Sequence, residues 1–183
     1  MIRSSSLTLI GMPGCGKTYW GRRLAQEFWI PALDIDDLIV DRAGGRSLPT
    51  ILSSNNGEQL LGSLENDCLQ QVLDLKLNTG TPTIVSTGGS AVYADCATEF
   101  FGHPLNFVLH LDVGLDDLIV RTENFTNRGI IFNGMTPTDL KRTRDVLYRQ
   151  YADVSVHVPS DTTNLPVMLS GLLAAHFGTP LLR

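Results

Sequence analysis

Apolar and polar positions follow two rhythms along this chain. Some apolar runs are short and continuous; other stretches place an apolar residue at every third or fourth position. Leu7-Thr8-Leu9-Ile10 reads as a short strand that ends at Gly11. Lys17 to Trp29 reads as a helix, because Trp20, Leu24 and Phe28 fall on one face. Ala32 to Ile35 is a second strand, and Asp37 to Arg42 a helix stopped by Gly44-Gly45. Glu58 to Leu77 predicts a long helix with an apolar face running from Leu60 to Leu75. Pro82 to Thr87 and Leu105 to Leu111 read as strands, and Leu115 to Arg121 as a short helix. Asn124 to Gly134 is polar, carries two glycines and reads as a loop. Thr136-Pro137-Thr138-Asp139 is a helix start, with an N-cap threonine, proline at the first helical position and an acid behind it. That helix runs to about Tyr151; Val154 to Val158 is a last strand and Leu165 to Phe177 a last helix.

Five short strands alternating with helices predict an α/β fold, a three-layer α/β/α arrangement around a five-stranded parallel sheet. One domain over residues 1–183 is expected. Ligands on such sheets gather at the C-terminal strand ends, where the glycine clusters after the first and third strands lie.

Composition narrows the function. Of 183 residues, 43% are hydrophobic and 18% charged, which excludes a disordered polyelectrolyte. Acids outnumber bases 19 to 14, a balance opposite to that of a general nucleic-acid or anionic-membrane binder. Cations are scarce, and only Lys17, Lys76 and Lys141 are lysines, so their positions carry information. No apolar run is long enough to span a bilayer, and the N-terminal residues do not read as a signal peptide. Cys15, Cys68 and Cys96 form neither a disulfide framework nor a zinc pattern. A cytoplasmic monomer acting on a small molecule, without nucleic acid or membrane, is expected.

Gly11-Met12-Pro13-Gly14-Cys15-Gly16-Lys17-Thr18 matches G-x-x-x-x-G-K-[ST] at every fixed position, with a strand before it and an amphipathic helix after it. Gly11, Gly14 and Gly16 let the backbone wrap so that N–H groups around Cys15 point at phosphate oxygens, and the helix N-terminus adds positive potential. Lys17 is expected to reach the β- and γ-phosphates of the nucleotide, and the Thr18 hydroxyl to ligate Mg²⁺. The bland alternative is a glycine-rich turn. The loop implies a nucleoside triphosphate without naming the reaction, and no N-K-x-D guanine signature is present.

Asp34 and Asp36 close the second strand. Residues two apart on a strand share a side, so both are expected to project near the phosphate loop. One could hold magnesium through water while the other orients or deprotonates an acceptor hydroxyl. The alternative is two acids at the start of the next helix, where Asp37 also suits the dipole.

Taken in order, these features resemble the shikimate kinase family. The resemblance rests on the phosphate loop, the D-x-D at Asp34 and Asp36, Gly44-Gly45-Arg46-Ser47, Gly57-Glu58, Glu65, Thr87-Gly88-Gly89, Arg121, Arg128 and Arg144…Tyr148. It runs from Leu7 to about Pro166. It implies a small cytoplasmic P-loop kinase of the nucleoside-monophosphate-kinase-like fold, moving the γ-phosphate of ATP to the 3-hydroxyl of shikimate with Mg²⁺. By the same resemblance Asp36 is the base that contacts the substrate hydroxyl, and Asp34 lies near magnesium. Gly88 and Gly89 approach the substrate with their backbone. Arg128 belongs to a lid over about residues 122–135 and reaches both substrates. Arg144 grips the substrate carboxylate, and Arg121 and Pro166 lie beside the adenine.

The residues alone say less. Arg128 sits in a loop of lid-like composition, where a cation could stabilise the transferring phosphoryl group. Arg144, among Lys141, Arg142, Asp145 and Arg149, reads as part of a solvent-facing charged stripe. Tyr148 shares its face and reads as a packing partner.

The sequence departs from the family pattern on the acceptor side. Where the family has G-E-x-x-F-R-x-x-E, this chain has Gly62 at the arginine and Leu61 before it; Leu52 replaces another pocket aromatic. Ser90 stands at the third glycine after the third strand, and Gly129-Ile130-Ile131 follows Arg128. In the family the missing arginine helps grip the acceptor carboxylate, and its loss is worth roughly 1.5–3 kcal/mol. Three readings stay open: a kinase for shikimate, a kinase of the same fold for another polyol or sugar acid, and a nucleotide-binding module without turnover.

Overall fold

In a computed structural model of the chain, Leu7, Leu9 and Ile10 have almost no exposed surface, and the strand they build, β1 (Ser6–Ile10), is the middle of the sheet. The structure describes residues 6–123, 125, 129–132, 134–159 and 165–177, except the side chains of residues 165 and 175–177. All pairings are parallel, in the order β2 (Ala32–Asp34), β3 (Ile84–Ser86), β1, β4 (Asn106–Asp112), β5 (Val154–His157). Helices flank the sheet, as the alternation of patterns predicts. Covering both faces explains why β1 and β4 are buried along nearly their whole length rather than at alternate positions. Polar groups inside these strands are satisfied: Thr8 Oγ1 donates to Asn106 Oδ1 at 2.8 Å, and Asn106 Nδ2 donates to Phe100 O at 3.0 Å.

The long helices fall where the periodicity puts them. They are α1 (Lys17–Phe28), ended by Trp29 in a left-handed conformation, and α4 (Gly57–Val72), which continues into one π-helical stretch at Leu73–Leu77. Between them lie α2 (Ile35–Arg42) and α3 (Leu48–Leu52); α5 (Ala97–Phe101) and α6 (Leu115–Arg121) follow. Helix α7 (Pro137–Tyr151) has the predicted cap, Thr136 Oγ1 accepting from the Asp139 amide at 3.2 Å, and α8 (Leu165–Phe177) ends the described chain. The sequence pattern does not reveal α3 or α5, which are too short to display a period.

One boundary corrects the sequence reading. Helix α2 begins at Ile35, so Asp36 lies in its first turn and not on β2. Asp34 is the last strand residue and the helix cap, its Oδ1 accepting from the Asp36 amide at 3.0 Å. The two acids are therefore not two neighbours on one strand face. Among the described residues no helix is long and apolar enough to cross a membrane.

Candidate active site

The loop between β1 and α1 wraps around its own lysine. Gly16 takes a left-handed conformation (φ 100°) at the start of α1, which a side chain would strain. Lys17 is buried, and its Nζ donates to Gly11 O at 2.8 Å and Met12 O at 3.1 Å, with Cys15 Sγ at 3.7 Å. Ser86, at the end of β3, fixes the first turn of α1 by donating to Lys17 O at 3.1 Å. Beside the loop, Thr18 Oγ1 donates to Asp34 Oδ2 at 2.6 Å. This hydroxyl and carboxylate form a hard oxygen donor set of the kind that suits Mg²⁺.

A cleft of about 500 Å³ opens next to the loop. Lys17, Thr18, Asp36, Glu65 and Gly88 to Ser90 line it, and Leu48, Pro49, Gly129 and Ile130 form another part of its wall. Asp36 is half-buried, and desolvation raises its carboxyl to about 6; Asp34 and Asp37 push the same way, against Lys17. Such a carboxyl is a better proton acceptor near neutrality than an exposed aspartate.

The two glycines after β3 are required by what stands behind them. A Cβ at Gly88 would collide with Glu65 Oε1 and lie 3.3 Å from Asp36 Oδ1. One at Gly89 would lie 2.7 Å from Pro13 and 3.0 Å from Arg144 Nη1. Backbone thus approaches side chains that belong to α2, α4, α7 and the phosphate loop. Tyr148 Oη anchors it by donating to Gly89 O at 2.7 Å; burial pushes that phenol well above its ordinary range.

Arg144 is 1% exposed, which overturns its reading as a solvent-facing charge. It shares the buried face of α7 with Leu140 and Tyr148. Its Nη2 donates to Ile131 O at 2.7 Å, its guanidinium lies 5.6 Å from the centre of the Tyr93 ring, and its Nε has no partner among the described residues. No carboxylate pairs with it among the described residues, so a buried cation stands ready for an anion. The other charges of that helix are partnered as expected of a surface: Lys141 with Asp112 and Asp145, Arg142 with Asp139, and Arg149 with Asp112.

The remaining predicted residues separate. Arg121 ends α6, whose end covers the phosphate loop, since a Cβ at Gly14 would run into Thr122. Pro166 lies apart from the main cleft, in a depression with Arg23 and Glu27. Arg128 lies outside the described residues.

One contact was not read from sequence. Ser90 Oγ donates to Glu65 Oε2 at 2.6 Å, and Glu65 is buried with desolvation raising it to about 7. Both residues also border a second cavity, of about 570 Å³, with Gly62, Tyr93 and Asp95. The available signal was paired change: a hydroxyl gained at Ser90 where a cation is lost at Gly62.

Comparison with known proteins agrees with this geometry. The family model described as shikimate kinase matches residues 13–167. The shikimate kinase of Stenotrophomonas maltophilia (strain K279a) is 36% identical over 154 residues, covering 82% of this chain and 81% of that one. A structure of shikimate kinase from Acinetobacter baumannii in complex with shikimate superposes with a TM-score of 0.76 at 25% identity, covering 93% of this chain and 94% of that one. A structure of shikimate kinase from Aquifex aeolicus shares the fold, with a TM-score of 0.71 at 23% identity over 94% and 99% of the two chains. With that family model matched over most of its length, and a curated relative above one-third identity, the chain belongs to the shikimate kinase family.

Proposed function

We propose that this chain transfers the γ-phosphoryl group of ATP to the 3-hydroxyl of shikimate, giving shikimate 3-phosphate and ADP. The observation that carries the reading is Arg144, a buried guanidinium whose Nε has no partner among the described residues, packed behind Gly89, which lines a cleft that also holds a phosphate loop and a raised carboxyl. A phosphate cradle and a base in one cleft, with a cation directly behind its wall, match an acceptor that is both an acid and an alcohol.

The roles follow from position. Backbone N–H groups from Gly11 to Thr18 cradle the phosphates, and Lys17 exchanges its loop carbonyls for phosphate oxygens. Asp36 takes the proton of the acceptor hydroxyl as its oxygen bonds to phosphorus and the bond to ADP breaks. Thr18 and Asp34 would hold Mg²⁺, whose charge would offset that of the phosphates. Gly88, Gly89 and Arg144 hold the acceptor. Arg128 adds a cation from a lid over about residues 122–135, while Arg121 and Pro166 flank the adenine. The chain works as one kinase domain, a monomer in the cytoplasm, where free, buried Cys15, Cys68 and Cys96 stay reduced.

A coupled assay of ADP release over shikimate, other hydroxy acids and sugar acids tests the reading. Shikimate-dependent, magnesium-dependent turnover is expected. Asp36→Asn is expected to slow it by about 10²–10⁴-fold while ATP affinity stays near wild type. Turnover with another acid alone, or none with any acceptor, overturns it.

A further inference from the structure

Glu65 is a buried acid with no ion pair among the described residues. It is 3% exposed, and among the described residues no cation lies within ion-pairing distance of it. One turn earlier on α4, Gly62 offers no side chain, and the second cavity opens there. Glu65 and Ser90 form part of the boundary of both cavities. The charged groups that face Glu65 come from three other elements: Asp36 of α2, Lys17 of α1 and Arg144 of α7. Glu58, on its own helix, and Asp95 border the second cavity, adding negative charge there.

The two carboxyl oxygens differ. Oε2 accepts the Ser90 hydroxyl at 2.6 Å. Oε1 lies against Gly88, whose other neighbour is Asp36 Oδ1. An anion at Glu65 would confront Asp36 and, once an acid sits on Arg144, a second carboxylate as well. Like charges at such short range in a desolvated site disfavour ionisation. Burial outweighs the Ser90 hydrogen bond and the pull of Arg144 and Lys17, so that Glu65 lies near 7 and both of its forms are available around neutrality.

We propose that Glu65 is a specificity-determining residue of the acceptor site and works there as the neutral acid, with Ser90 fixing Oε2 and the proton on Oε1 donated as a hydrogen bond to an oxygen of the anionic acceptor. The acceptor then binds together with one proton taken from solvent. A neutral donor fills the role for which the helix carries no cation at Gly62. This rests on the acceptor being shikimate, whose carboxyl is ionised over the range tested.

The test is equilibrium binding of shikimate to the full chain between pH 6.5 and 8.5, by calorimetry in two buffers of different ionisation enthalpy. The dissociation constant is expected to rise about 25-fold over that range, with uptake approaching one proton per shikimate at pH 8. Glu65→Gln, whose amide donates without titrating, is expected to flatten the profile. Ser90→Ala removes a bond that favours the anion and is expected to move the break to higher pH, which titration of Asp36 would not do. A flat wild-type profile without proton uptake overturns the inference and leaves the function standing. Absence of shikimate binding at every pH overturns both.

Discussion

Asp36 and Glu65 are held above the ordinary carboxyl range, at about 6 and about 7, and burial is the largest cause for each. The two shifts act on different observables. Asp36 must be ionised to accept a proton, so kcat at saturating substrates is expected to fall about tenfold per pH unit below 6 and to level off above it. A pH–rate profile checks this, and a rate still rising beyond pH 8 would assign the base elsewhere. Glu65 bears on folding. Its folded value lies above its unfolded one of 4.5, so its contribution to stability is present below pH 4.5 and is lost as pH rises through 7. Glu65→Gln escapes that loss. Relative to wild type it is expected to gain up to about 3 kcal/mol between pH 5 and pH 8, read from denaturation curves at both. An unchanged difference would mean that Glu65 is ionised and paired in the folded protein.

Helix α4 carries its most consequential residue as an absence. Gly62 lies inside the helix, and a Cβ there meets nothing within 4 Å. Gly62→Ala is therefore expected to stabilise the fold by about 1 kcal/mol, the usual cost of glycine in a helix. Gly62→Arg is expected to place a cation beside the acceptor site and lower the KM for shikimate about ten- to hundredfold. A KM unmoved by the arginine would mean that the acceptor carboxylate is bound away from α4. The long helices and the strands were legible because burial imposes a period that survives in sequence, as in the Trp20 and Leu24 face of α1. Asp36 was placed wrongly because a cap bond from Asp34 turns strand into helix one residue earlier than the apolar run suggests. Read without the family resemblance, Arg144 passes for a surface charge because its neighbours in sequence are charged, whereas its neighbours on the helix, Leu140 and Tyr148, are buried; spacing by four was the usable signal. The bond of Ser90 to Glu65 joins residues 25 apart and exists only once the segment after β3 packs against α4.

At the scale of the whole molecule, the strand order sets β1 and β3 side by side, with β2 next to β3. The phosphate loop after β1, Gly88-Gly89 after β3, and the acids after β2 therefore meet at one end of the sheet. A chain with a formal charge of −5 can serve anionic substrates because two of its cations, Lys17 and Arg144, are buried there. The ligand-free fold carries the cost. Among the described residues Arg144 is buried without a carboxylate partner, and two carboxyls are held away from their ordinary range. A bound acid relieves the first of these, so ligand binding and stability are linked. Shikimate at about 100 times its dissociation constant is expected to add about 2.7 kcal/mol, which for a chain of this size raises Tm by roughly 5–10 °C. Arg144→Met keeps the volume and removes the unpaired charge. It is expected to leave the ligand-free Tm within about 4 °C of wild type while abolishing the shift caused by shikimate. Thermal denaturation with and without shikimate measures both quantities in one experiment. A variant that loses stability yet keeps the shift would make Arg144 a structural residue, and the acceptor carboxylate would have to be sought at another cation.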